Sequence, residues 1–165
     1  MVEMELVAVQ IELPGNTPVV LLREIPGPHR LVPIFIGQPE AAAIAFAVDG
    51  VVTPRPMTHD LIKDTLDALG ATLERIVVTE LAESTFFAEL HIALNGVGHR
   101  VSSRPSDAIA LALRVGCPIF AEDDVLAEAG VVEEVGEEGD EVESDEVVEK
   151  FREFIDSVDP DDFAS

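Results

Sequence analysis

The stretch SSRPSDAIALALRVG, residues 102–116, decides how the chain is read. Residues 108–113 alternate alanine with isoleucine and leucine, so a helix formed from them belongs in a core. The turn that opens this helix carries Arg104, Ser106 and Asp107, three groups that bind anions or do chemistry. Pro105 suits helix entry, Ser106 suits capping, and an aspartate in a first turn is stabilised by the helix dipole. Arg104 is not explained this way. A helix N-terminus already attracts anions, so a cation there is unfavourable until an anion joins it. Arg104 therefore requires a partner: either an internal carboxylate (Asp60, Asp107 or Glu40) or the phosphate of a ligand.

The same local plan occurs upstream, where Arg55-Pro56-Met57-Thr58-His59-Asp60 leads into a second helix. Thr58 reads as its N-cap, Leu61, Ile62, Leu66 and Leu69 form one stripe over residues 59–69, and Gly70 stops it. His59, next to Asp60, is the best acid–base candidate, because an imidazole titrates near neutral pH. The competing reading of His59 is a structural helix histidine. His99, after the Asn95-Gly96 turn, is a weaker candidate, and His29 and His91 receive no role.

Elsewhere the hydrophobic period switches between strand and helix. Residues 4–13 and 19–22 read as a hairpin about Pro14-Gly15-Asn16, and residues 31–36 as a strand that Pro33 confines to an edge. Residues 37–49 open on Pro39 and Glu40 and continue as an alanine-rich helix that is apolar nearly all round and hence buried. Strands follow at 72–81, 85–94 and about 99–102, with the Asn95-Gly96 turn before the last of them. After the helix of the opening stretch come a short strand at 118–121 and a short helix at 123–129. Residues 131–146 read as an acidic linker. Val147, Val148, Phe151, Phe154, Ile155 and Val158 then recur at helical spacing in a C-terminal amphipathic helix within 147–165.

Composition narrows the function. The chain has 165 residues and a net charge of −23, of which residues 122–165 carry −17 and residues 1–121 only −6. No global basic footprint for nucleic acid exists, but the body can still hold a local positive site. No apolar run approaches the roughly 18 residues of a membrane span, and residues 1–5 lack the basic start of a secretory signal. Cys117 is the only cysteine, which excludes an internal disulfide and makes the cytoplasm the default location. It reads as a small buried hydrophobe. Phosphate-binding glycine loops, zinc-type Cys/His clusters and nucleophile elbows are absent from the sequence. With no Tyr and no Trp, only Phe86 and Phe87 could stack on bases, and phenylalanine on a strand is usually core.

Pro33-Ile34-Phe35-Ile36-Gly37, Glu40-Ala41, the run from Arg55 through Leu61 and the run from Ser103 through Ala112 together resemble the bifunctional nuclease domain family over about residues 1–130. The resemblance implies an α+β fold in which a mixed, largely antiparallel sheet is packed by alanine-rich buried helices. It also implies DNase and RNase activity. The positions matching the family's polar motifs are Glu40, Arg55, His59, Asp60, Ser103, Arg104, Ser106 and Asp107. The reading that follows is a phosphodiesterase on DNA and RNA. His59, Asp60, Arg104 and Asp107 would be catalytic, and Arg55, Ser103 and Ser106 would bind substrate. Asp60, Asp107 and Glu40 would hold Mg²⁺ or Mn²⁺. The alternative is a non-catalytic interaction or regulatory module whose polar residues form a structural network; a homo-oligomer is a separate expectation. Under the first reading, Arg104 and Asp107 lie close to Arg55, His59 and Asp60.

Overall fold

The structure is a computed structural model that describes residues 1–25 and 27–132. β1 (Val2–Glu12) and β2 (Thr17–Glu24) form the expected hairpin, and β3 (Leu31–Phe35) pairs with β2 as the edge strand that Pro33 demands. β4 (Ala71–Ala82), β5 (Thr85–Leu94) and β6 (Val97–Ser103) form an antiparallel meander. Its two turns place Glu83, Ser84, Asn95 and Gly96 at φ 49°, 61°, 52° and 79°, the left-handed pairs that two-residue hairpins need. β7 (Ile119–Ala121) joins the two halves, antiparallel to β1 and parallel to β4, in one seven-stranded mixed sheet of order β3-β2-β1-β7-β4-β5-β6.

Four helices accompany the sheet: α1 (Gln38–Val48), α2 (Thr58–Leu69), α3 (Pro105–Val115) and α4 (Asp123–Ala129). Alternate strand residues, among them Leu22, Ile34, Ile76 and Val78, share one core cluster with Ile44 of α1, Ile109 and Leu111 of α3, and Val125 and Leu126 of α4. Because strand side chains alternate between faces, that cluster lies on one side of the sheet. The alanines of α1 and α3 let the two helices lie close together over it. The other face carries polar residues such as the Glu5–Arg23 ion pair (2.6 Å), and among the described residues no helix covers it.

Three details differ from the sequence expectation. Thr58 is the first helical residue of α2, and Met57 is the cap, because the Asp60 carboxylate accepts the Met57 N–H at 2.9 Å. The stripe on α2 is not a buried face: Leu66 packs against the core, while Leu61 and Leu69 are 59% and 64% exposed. The one buried residue of α2 is His59, because the helix docks by a polar contact to α3. Finally, Val131 exchanges two backbone hydrogen bonds of 2.8 Å with Leu31, so the folded body runs past Gly130. The rest of the expected linker and the C-terminal helix lie outside the described residues. Cys117 is half-buried against the core, and burial raises its thiol pKa.

Candidate functional site

The site is built where α1, α2 and α3 meet. Pro105 at the first turn and Gly116 in the left-handed conformation (φ 76°) delimit α3, as sequence spacing requires. Arg104 is its N-cap residue and folds its guanidinium over the first turn. Nε donates to Asp107 Oδ2 at 2.7 Å, and Nη2 donates to Asp107 Oδ1 at 3.2 Å. The same Nη2 lies 2.9 Å from Glu40 Oε1, in the first turn of α1. His59 Nε2 on α2 is hydrogen-bonded to Asp107 Oδ1 at 3.0 Å. Asp107 thus ties Arg104 and His59 together, and Arg104 reaches on to Glu40.

Glu40 is placed by Gly37, the N-cap of α1. A Cβ at residue 37 would lie 2.2 Å from Glu40 Oε2, so only glycine leaves room for the carboxylate to fold back across the helix start. Asp60 belongs to a second, linked pair. Its Oδ1 accepts Arg114 Nε at 2.6 Å, and Arg114 Nη1 donates to the carbonyls of Ala43 and Ala110 at 3.0 and 2.8 Å. Arg114 is 8% exposed at the side chain and joins all three helices. Sequence reasoning passed over it. The only signal was a guanidinium in the last turn of an otherwise apolar helix.

Electrostatics follow the contacts. Burial pushes the Asp107 carboxyl up, but the bonds from Arg104 and His59 outweigh it and hold the pKa below the ordinary carboxylate value. Asp60 behaves alike: burial opposes ionisation, and the Arg114 bond with the Met57 N–H overcomes it. Arg104 is held above its ordinary value, first by Asp107.

Arg104 also lines a cleft of about 390 Å³ with Ile36, Gly37, Thr85, Phe86 and Ser106. Its side chain is 65% exposed, so it is the member of the cluster that a ligand in the cleft meets first. Ser106 is buried in the cleft wall. Pro105 has no N–H, so the free donors of the first turn of α3 are the amides of Ser106 and Asp107, whereas the Ala108 amide bonds the Arg104 carbonyl at 3.1 Å. Ser103 donates its hydroxyl to the Arg104 carbonyl at 2.9 Å. Arg55 stands apart: it is exposed in the loop before α2, and no side-chain partner is found for it among the described residues. Of the expected constellation, the structure therefore gathers Arg104, Asp107, His59 and Glu40, links Asp60 through Arg114, and leaves Arg55 outside. Phe86 contributes to the cleft wall and packs on the core, and neighbouring Phe87 lies partly exposed.

The carboxylates do not fit a divalent cation. Glu40, Asp60 and Asp107 are each bonded to a guanidinium, and no three His, Cys, Asp or Glu side chains among the described residues converge on a common point.

Comparison with known proteins identifies the domain that carries these residues. The family model described as bifunctional nuclease domain matches residues 20–134, which include all the residues above. An uncharacterized protein of Mycobacterium tuberculosis is 50% identical over 163 residues, covering 98% of this chain and 97% of that one. Bifunctional nuclease 2 of Arabidopsis thaliana is 30% identical over 112 residues, 65% of this chain and 34% of the plant protein. Bifunctional nuclease 1 of Oryza sativa subsp. indica is 25% identical over 103 residues, 61% and 31% of the two chains. The motif seen in the sequence is thus carried on a matching domain that joins Arg104, Asp107, His59 and Glu40, and the chain belongs to the bifunctional nuclease domain family.

Proposed function

We propose that the chain is a nuclease that hydrolyses phosphodiester bonds of DNA and RNA with low sequence specificity, holding the reacting phosphate at Arg104 and the first turn of α3. The observation that carries the reading is the Asp107 carboxylate, bonded at once to His59 and to Arg104, whose exposed side chain lines a cleft. Arg104 and the amides of Ser106 and Asp107 supply positive charge and donors to the non-bridging oxygens, where charge grows in the transition state. Asp107 accepts the Nε2 proton of His59, which leaves Nδ1 as the basic nitrogen. That nitrogen takes a proton from the attacking water as its oxygen bonds to phosphorus. The P–O bond to the leaving alkoxide breaks, and the alkoxide receives a proton from the imidazolium. No element of the described fold is shaped to read base edges in a groove, which supports low specificity. Since the carboxylates do not fit a metal, Mg²⁺ and Mn²⁺ enter no step.

A second reading, a non-catalytic interaction module, is favoured by one observation: each motif carboxylate already has an arginine partner. Labelled DNA and RNA incubated with Mg²⁺, with Mn²⁺ and with EDTA separate the two. The nuclease reading expects cleavage of both substrates that survives EDTA and disappears in the Arg104→Ala, Asp107→Asn double variant. Equal cleavage by the double variant would expose a contaminant, and no cleavage under any condition would leave the interaction module.

A further inference from the structure

The face of the sheet without helices carries a row of basic side chains. Arg75 on β4 lies directly opposite His91 on β5, and His91 lies directly opposite Arg100 on β6. Their sequence neighbours Ile76, Leu90 and Ile92 belong to the core or pack against it, so the row points away from the helices. Neighbouring strands are about 4.8 Å apart, which brings the three groups within roughly 10 Å. Nothing in the hydrophobic pattern requires a guanidinium on either side of one imidazole.

Internal partners do not account for it. Glu89, two residues along on the same face, is the carboxylate nearby: its Oε2 lies 3.5 Å from His91 Nε2 and 3.9 Å from Arg100 Nη1. One carboxylate cannot neutralise two guanidiniums. Arg75 has no ion pair among the described residues, and its Nε is buried without a hydrogen-bond partner, the one such side-chain atom among them. Burial first, and then Arg75 and Arg100 beside it, lower the His91 pKa. In a chain of net charge −23 the row is an unusual concentration of positive charge.

We propose that Arg75, His91 and Arg100 form a phosphate-binding site on the open face of the sheet, separate from the site at Arg104. Guanidinium forks match the oxygens of a phosphate, and Arg75 has no carboxylate partner among the described residues to give up. Arg100, 72% exposed on the edge strand, closes on the ligand from outside, and His91 supplies a ring N–H between the two. The phosphate is either free or part of a polynucleotide backbone. The proposal does not rest on the nuclease reading, because it concerns another face of the molecule.

The test is a titration of the full chain, at constant ionic strength, with inorganic phosphate in one arm and oligothymidylate in the other. The His91 ring resonances, identified by their loss in His91→Gln, report the site. Saturable shifts in the phosphate arm identify a free phosphate, and shifts in the oligothymidylate arm alone identify a polynucleotide backbone. In either case Arg75→Gln and Arg100→Gln each weaken binding about tenfold or more, and Arg104→Gln leaves it within about twofold. Arg100 is exposed, so Arg100→Gln decides the matter even where Arg75→Gln fails to fold. No His91 shift in either arm, or an undiminished shift in Arg100→Gln, overturns the proposal. Cleavage is not a readout here, so failure of this site and failure of the nuclease reading are distinguishable.

Discussion

Asp107 accepts from Arg104 Nε, Arg104 Nη2 and His59 Nε2 with a single carboxylate, so the geometry of the site depends on residues that keep its partners in reach. Gly37 is one of them. Its φ of −80° suits any residue, so Gly37→Ala brings no backbone strain; the new methyl group displaces the flexible end of Glu40 instead. Stability is expected to change by less than about 1 kcal/mol, while the Glu40–Arg104 pair is lost, so Gly37→Ala should match Glu40→Gln in cleavage rate. A Gly37→Ala enzyme with parental rate beside an impaired Glu40→Gln would show that the carboxylate is not displaced. Arg114 is the structural counterpart. Replacing it with leucine leaves Asp60 and the Ala43 carbonyl without their partner and is expected to cost about 1–3 kcal/mol, reduced by the partial exposure of Asp60. Asp60→Asn combined with Arg114→Leu should cost less than the two singles together, as for any directly coupled pair. With no Trp or Tyr in the chain, unfolding is followed by circular dichroism or calorimetry.

Elements are held to one another here by charge as well as by apolar packing. Asp107 and Asp60 fasten α2 to α3, and the buried Glu24 at the end of β2 accepts Arg30 Nε at 3.0 Å and Nη2 at 2.9 Å from the segment before β3. All three carboxyls have lowered pKa values; for Glu24 the chief cause is the Arg30 bond. In the unfolded chain these groups return to about 4. Between that value and their lower folded values the unfolded chain binds more protons, so stability falls with pH in that window. Tm is therefore expected to be insensitive to these groups above about pH 5 and to drop as the pH falls through 4 toward 3. A Tm unchanged down to pH 3 would contradict the pairing. The polar docking of α2 has a further consequence. Leu61→Gln and Leu69→Gln should each alter stability by only about 0.5 kcal/mol, whereas Leu111→Ala, in the core side of α3, should cost about 2–5 kcal/mol.

For the whole molecule the governing quantity is net charge. A site with few cationic groups on a chain of −23 contacts few phosphates, so nucleic-acid affinity should fall steeply with salt, with a slope set by about two or three neutralised phosphates. Residues 122–165 carry −17, and their repulsion of a polyanion is felt within about 8 Å at physiological ionic strength. Changing Glu133, Glu134, Glu137, Glu138, Glu141 and Glu143 to Gln is expected to raise DNA and RNA affinity at low salt, with the gain fading as salt rises. Equal affinities at low salt would reduce the acidic segment to a solubilising role.

Much of this was legible in the residues themselves. The period of the apolar residues, Pro33 on an edge strand, Asn95-Gly96 at a hairpin and the proline and glycine that delimit α3 are local signals, because each reflects what a few consecutive backbone units allow. The motif around Arg55 and Arg104 identified the family for the same reason. The central place of β7 and the burial of His59 were not local. Three residues cannot declare which strands they join, and a histidine is turned inward only because Asp107, 48 positions away, waits for it. The partner of Arg104 was open in the sequence, since Asp60, Asp107 and Glu40 were equally eligible there. Folding divided them, giving Asp107 and Glu40 to Arg104 and Asp60 to Arg114, because an ion pair is decided by distance and burial, and both arise only when the helices pack.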